Sequence, residues 1–493
     1  MKKIVLSSLA SLFAFSSFAV DLENKYNIWS ATEGLKDNNN VAVVLSSNGG
    51  GVYIDVDDRV ITSATVSHPA NNYFQVKTGY TAKINSIVIG GNFTTSSNPN
   101  TIKIGTSTEA NKAGLAGTLI IDMGTSATYY GFEVNSGVLK LLESGQSLCS
   151  RAFTVNSMGE IHMLNRNTPT SYSTYNNGGT ITANGGKFYA GRIVVPNIII
   201  KNGGLIESKN GIRLTSASAA STIDGQLIVS GFDDGGIKFT GDDGLTYNTR
   251  NFSLRFGNGT NASADADAKV VTNINENGSI VQTSSNANMV NDILGQVNVE
   301  SAENSLRFQN NIVLAGKGKL TLNSTNAFAT INASKEIIAN QANTTFYVSR
   351  HYVDKGTYAA DTDLVINANN DLGALAFGSN TSLTLSIADD VVFSLGQITT
   401  QTGSNGEFTF ILDNWHNNSF KIVDMAIEEL QRLSFYEEVV DGETTTLSKL
   451  DVNFVETAVG SGQYWVNAVP EPAEWAMIFG AIALGFVAYR RRK

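Results

Sequence analysis

Gly137-Val138-Leu139-Lys140-Leu141, followed by Gly159-Glu160-Ile161-His162-Met163, is the stretch whose reading decides the fold. Each piece is a glycine and then a residue-by-residue alternation of apolar and polar side chains, the pattern of a half-buried strand. The same unit stands at Gly117, Gly179, Gly204, Gly225, Gly278, Gly295 and Gly318, mostly 20 to 25 residues apart. Recurrence at that period is the mark of a solenoid, in which each repeat buries its apolar side only against its neighbours. Short strands, Asn-Gly and Gly-Gly turns and almost no helical periodicity predict an all-β, right-handed parallel β-helix, one coil per repeat.

Such a coil places each strand above its predecessor at about 4.8 Å spacing, with every second side chain inward. Leu139, Leu141, Leu320 and Leu322 are then expected in the core, with Lys140 and Thr321 facing water. Stacked Asn and Thr at the corners are expected to form side-chain ladders, and the glycines to occupy turns of positive φ. Apolar runs at Ile84–Ile89, Leu119–Ile121, Ile193–Ile200 and Leu383–Ile387 extend the pattern along the chain, which argues against disorder despite the many Gly, Asn and Ser. At about 21 residues per coil the repeats would build a rod of about 18 coils, near 85 Å.

The chain has 493 residues, 46 Gly, 6 Pro and one cysteine. Cys149 has no partner for an internal disulfide, so the body must hold by burial and backbone pairing, which a chain of this length can support. The reading divides it into residues 1–19, a signal peptide; 20–40, an irregular leading segment; 41–412, the β-helix repeats; 413–468, a C-terminal cap; and 469–493, a sorting tail. Within the cap, Asp424–Leu433 reads as an amphipathic helix with Ile427, Leu430 and Leu433 on one side and Asp424 as N-cap. Leu450–Phe454 and Tyr464–Val466 alternate as an antiparallel hairpin.

Both ends carry address-like patterns. Lys2 and Lys3 precede an apolar stretch, Ile4 to Phe18, and Ser17-Phe18-Ala19 offers a signal-peptidase site with cleavage after Ala19. At the other end, Val469-Pro470-Glu471-Pro472 leads into the uncharged run Trp475 to Tyr489, closed by Arg490, Arg491, Arg492 and Lys493. As a helix that run measures roughly 22 Å, short of the roughly 30 Å hydrocarbon core, and makes a marginal transmembrane anchor. Its cations would stop translocation and leave the body outside. Pro470 and Pro472 keep the motif extended. The layout resembles the PEP-CTERM sorting signal of Gram-negative bacteria. The resemblance implies that an exosortase, a transpeptidase-like membrane enzyme, acts at Pro470-Glu471-Pro472, and that the protein belongs to an exopolysaccharide-producing setting. The body is similar to autotransporter passenger regions in pattern only, without the strands of a translocator barrel at its end.

The whole chain carries a net charge of −10, and removing the six basic residues at its two ends leaves a more acidic body. That excludes nucleic acid and anionic lipid as natural partners of the body and suits an exported protein. For chemistry, Asp57-Asp58, Asp233-Asp234, Asp242-Asp243 and Asp389-Asp390 stand out. Asp233, Asp234, Asp242 and Asp243, read as two acidic turns, are the candidate Ca²⁺ ligands and the strongest case for glycoside chemistry. Adjacent strand residues point apart and Asp-Gly is ordinary turn chemistry, so solvated turns are expected, as they are for Asp265-Ala266-Asp267. His68, His162, His351 and His416 have no metal-binding spacing and are expected at surfaces or corners. Cys149 reads as a buried small side chain. Tyr129-Tyr130, Tyr172 and Tyr175 are candidates for a sugar-stacking platform. The reading is a non-enzymatic exported surface or matrix protein with no required cofactor, held first at the inner membrane by its tail. A secreted β-helix polysaccharide lyase or hydrolase, or a carbohydrate-binding surface module, is the alternative.

Overall fold

The computed structural model describes residues 19–21, 27–29, 41–45, 51–54, 57–66, 73–89, 101–105, 116–123, 131–143, 152–176, 179–216, 218–231, 233–240, 246–257, 264–283, 289–309, 311–331, 337–340, 346–349, 360–377, 381–400, 408–469, 480–484, 487 and 489–490. These form an all-β structure with sheets of 29, 10 and 5 strands, mostly parallel, and few helices.

The strands fall into columns that the chain visits in turn. One runs through Ile181–Asn184, Ile198–Lys201, Ser221–Ile223, Val271–Ile274, Gln296–Val299, Lys319–Leu322, Ala360–Ile366 and Thr381–Ile387, each parallel to the next. A second runs from the C-terminal half of Phe153–Asn165 through Lys187–Ala190, Leu205–Ser208, Gln226–Val229, Ser279–Gln282, Leu306–Phe308 and Phe328–Ile331. A third begins at Tyr175–Asn176, Ile193–Val195 and Ile212–Leu214 and reaches Ile398–Thr400. Side-chain alternation puts one register row of the second column wholly inside: Leu139, Ile161, Phe188, Ile206, Leu227, Ile280, Leu306 and Phe328 are all buried. Leu320 and Leu322 are buried and Thr321 is half-exposed, as the alternation requires.

The expected side-chain ladder is present. Asn156 donates to Asn135 at 2.7 Å, Asn184 to Asn156 at 2.8 Å and Asn202 to Asn184 at 2.6 Å, one amide per turn of chain. Asn298 donates to Asn273 at 2.9 Å in the first column.

The glycine series needs two corrections. It merges two columns: Gly159 is followed in register not by Gly179 but by Gly186, because Glu160 pairs with Lys187, while Ile181 pairs back to Phe153. Most of these glycines also lack positive φ. Gly137 has φ +82, but a Cβ on Gly159, Gly204, Gly225, Gly278, Gly295 or Gly318 would lie 2.2–2.6 Å from a backbone oxygen of an adjacent segment. Close backbone approach selects glycine there. The period is also interrupted. Ser221 pairs with Thr272 and Lys319 with Asp363, and the intervening segments hold antiparallel strands, Asp233–Thr240 in one and Ile337–Asn340 in the other. Two runs read as continuous are broken, at Asn85-Ser86 and at Pro196-Asn197.

The cap differs from its reading in a helix and in one added hairpin. The helix is a single turn, Ile427–Leu430. Asp424 is left-handed at φ +61 rather than an N-cap, and Leu433 already pairs with Phe408 as a strand. Leu430 is buried while Ile427 is exposed. Glu429 accepts the Ala426 N–H at 3.3 Å, half of a capping box. The hairpin of Val452–Glu456 and Gln463–Ala468 forms as read, and Gln463–Ala468 also runs antiparallel to Phe420–Val423, closing the five-stranded sheet. A second hairpin, Leu433–Asp441 with Thr444–Lys449, was not legible in advance.

At the N-terminal end, Ala19–Asp21 lies parallel to Val41–Leu45. In the tail, Gly480–Leu484 is helical with Ile482 and Leu484 exposed. Among the described residues no helix is long and apolar enough to cross a membrane, so the transmembrane helix read from the sequence is not found there. Pro470, Glu471, Pro472, Arg491, Arg492 and Lys493 lie outside the described residues.

Candidate functional site

Among the described residues, a dense group of chemically capable side chains sits on the outward surface of the second column. Pairing of Phe153–Asn165 with Lys187–Ala190, and of that strand with Leu205–Ser208, fixes two outward rows. One holds Glu160, Lys187 and Leu205; the other holds His162, Tyr189 and Glu207. Tyr172 joins them from the following loop, which folds back so that Tyr172 bridges Leu164.

His162 lies between two partners. Its Nε2 is 3.3 Å from Glu160 Oε2, and its Nδ1 is 3.4 Å from the Tyr172 hydroxyl. The other Glu160 oxygen accepts from Lys187 Nζ at 2.9 Å. The imidazole stacks on Tyr189 with centroids 4.6 Å apart, and on Tyr172 at 6.1 Å. Lys209 pairs with Glu207 and places its ammonium 5.9 Å from the Tyr172 ring centre.

Electrostatics follow from partial burial. Desolvation holds His162 below its ordinary imidazole value, against the pull of Glu160. Burial pushes Glu160 up, but hydrogen bonds from Lys187 and His162 outweigh it and leave the carboxyl below the usual range. Desolvation raises both Tyr172 and Tyr189. Both tyrosine hydroxyls thus favour the protonated form, and Tyr172, His162 and Glu160 form a chain of polar contacts. Rings stacked turn upon turn cover one another's faces; they present edges, hydroxyls and charged groups outward. That arrangement suits polar recognition along the column more than a flat sugar-stacking platform.

The other sequence candidates are distributed differently. Tyr175 is buried in the core at an edge angle to Phe153 and Phe188 and is no platform residue; Tyr129 and Tyr130 lie outside the described residues. Asp57-Asp58 and Asp389-Asp390 are exposed turns, with Asp58 and Asp390 left-handed and Asp57 Oδ1 accepting the Thr81 N–H at 2.8 Å. Asp233 and Asp234 open a hairpin strand paired with Thr246–Phe256, not a turn, because an insertion folds back here. Asp242, Asp243, His68, His351 and Cys149 lie outside the described residues. Asp265-Ala266-Asp267 is a helical turn rather than a loop; Asp265 is exposed and pairs with Lys317 at 2.7 Å, whereas Asp267 is buried. His416 is exposed. No group of three or more His, Cys, Asp or Glu side chains able to hold a metal occurs among the described residues. No family model, curated protein or solved structure matches the chain.

The sequence reading missed the His162–Tyr189 stack because it counted from Gly159 to Gly179. Asn184-Gly185-Gly186-Lys187-Phe188 and Asn202-Gly203-Gly204-Leu205-Ile206 carry the same motif one turn apart, which sets Tyr189 beside Glu207; placing His162 beside Tyr189 takes the further match of Gly159-Glu160-Ile161 to Gly186-Lys187-Phe188.

Proposed function

We propose that this chain is an exported, non-enzymatic surface or matrix protein whose body is a right-handed parallel β-helix with a C-terminal cap. In this reading the tail is a removable membrane handle processed by an exosortase-type enzyme. The carrying observation is where the body ends relative to the tail. Val469 N–H donates to Asp451 O at 3.2 Å as the cap closes, and Pro470-Glu471-Pro472 begins at the next residue. A processing enzyme would meet the motif just outside the folded edge, with a short apolar run and four cations behind it. The β-helix reading rests on the columns of parallel pairing and the Asn ladder, and right-handedness on the general preference of parallel crossovers.

Expression of the full chain with Pro470-Glu471-Pro472 replaced by alanines tests the sorting. Wild type is expected to lose mass and move from the inner membrane to the surface or matrix, and the variant to stay full-length in the membrane; unchanged mass and location of both would overturn the proposal.

The carbohydrate-binding reading is favoured by the two adjacent outward rows that hold Glu160 and Lys187, and His162, Tyr189 and Glu207, whose polar edges suit exopolysaccharide. Soluble-glycan binding without new reducing or unsaturated ends would select it. Ca²⁺-dependent chain cleavage abolished by Asp233→Ala or Asp242→Ala would select the lyase or hydrolase instead.

A further inference from the structure

We infer that the chain forms a twofold dimer through the free edge of its C-terminal hairpin, strand Thr444–Lys449 pairing antiparallel with the same strand of a second copy. This inference stands independently of the sorting proposal.

The hairpin Leu433–Asp441/Thr444–Lys449 leaves the body after Phe435. Every residue from Glu437 to Lys449 is exposed, including Val440 at 68% and Leu447 at 51%. Two-stranded ribbons with both faces in water are marginal on their own. Among the described residues, Thr444–Lys449 pairs only with Leu433–Asp441, so its outer edge is open. That edge lacks the usual defences: it has no proline, no bulge and no charge before Lys449, and it is rich in β-branched residues.

The sequence of this edge suits itself. The turn is two residues long, with Gly442 at φ +65 as its first central residue. This makes Asp441 and Thr444 the first hydrogen-bonded pair. Alternation then turns the backbone groups of Thr445, Leu447 and Lys449 outward and those of Thr446 inward. Antiparallel pairing of two such edges must match outward with outward groups, so the twofold axis has to pass through a residue. Centred on Thr446, the pairing sets Thr445 opposite Leu447 of the second copy as a hydrogen-bonded pair. It also sets Glu443 opposite Lys449, twice over. A register centred on Leu447 would oppose Glu443 to Asp451, and one centred on Thr445 would oppose Leu447 to Glu443. Charge and apolar complementarity together select Thr446. Val440 and Leu447 then share one face of a four-stranded sheet and shield each other.

Sedimentation of the full-length chain in detergent micelles should show a concentration-dependent dimer. Glu443→Lys and Lys449→Glu, each placing like charges opposite, should each weaken it about tenfold, and the combined swap should restore it. Oxidation of Thr446→Cys in a Cys149→Ser background should give a covalent dimer, because a non-hydrogen-bonded antiparallel pair holds its Cα atoms at about 4.5 Å. Thr444→Cys should not, since its own copy lies several residues away. A monomer at all concentrations would overturn the proposal. So would a dimer indifferent to the charge swaps, as expected if the tail alone associated, or equal crosslinking at Thr444.

Discussion

Gly225 and Gly442 show how one residue type serves two physical needs. Gly225 has no positive φ, but a Cβ there would sit 2.5 Å from the Gly204 carbonyl oxygen; Gly442 has φ +65 and open space around it. Gly225→Ala is therefore expected to lower stability by about 1–3 kcal/mol through overpacking, whereas Gly442→Asn, which tolerates the left-handed region, should cost well under about 1 kcal/mol. Denaturant midpoints of the two variants check this. Asn184 both donates to Asn156 and accepts from Asn202, so Asn184→Ala should cost about 1–2 kcal/mol by the same measurement. His162 gives the chain a pH response. Burial disfavours its imidazolium, so the unfolded chain binds that proton more readily. Unfolding free energy should fall as pH drops below 6.5 and level off once pH passes the lowered folded-state value. Glu160, with its carboxyl held below 4.5, adds a loss only at lower pH, as that group becomes protonated. Urea midpoints for His162→Gln should show the upper slope removed and the lower one reduced but still present, since Lys187 continues to bond Glu160.

Among the elements, the third column buries a charged pair, with Arg213 in register on one side of it and Val313 on the other. Thr246–Phe256 and Met289–Ile293 place Arg255 beside Asp292, both 0% exposed, with Nε to Oδ2 at 2.8 Å. Removing one partner takes away the charge that balances the other in the interior, so Asp292→Ala should destabilise by about 3–5 kcal/mol, while Arg255→Met with Asp292→Leu should return much of the loss. A double-mutant cycle in chemical denaturation measures the difference. The strands of the first two columns were legible because an inside-out alternation repeats in them. Where a strand is covered on both sides, as in Ile193-Val194-Val195, no alternation marks it, and Ile212-Arg213-Leu214 is too short for its single alternation to stand out. The cap helix was overread for a related reason. Ile427, Leu430 and Leu433 fit a helical stripe, but Leu433 gains a ladder and a core position by pairing with Phe408, and that long-range gain ends the helix after one turn.

For the whole molecule, stacking by nearest neighbours means that unfolding need not be one concerted event. Trp415 and Trp465 both lie in the cap, where Phe420 packs on Phe393 and Phe410. With Trp29 and Trp475 replaced by phenylalanine so that only these two report, tryptophan fluorescence should show a transition separate from the loss of strand signal in far-ultraviolet circular dichroism. Coincident curves would show instead that cap and columns unfold together. The amino-acid order alone settled the inside-out alternation of single strands and the presence of a closing hairpin, since these depend on which side chains avoid water a few residues apart. It also set out the address-like pattern of both ends. Only the three-dimensional pairing decided which glycine stands over which, that Gly186 rather than Gly179 follows Gly159, and hence that His162, Tyr172 and Tyr189 meet. Local hydrophobicity is blind to insertions between turns, whereas backbone hydrogen bonds across the columns admit one register.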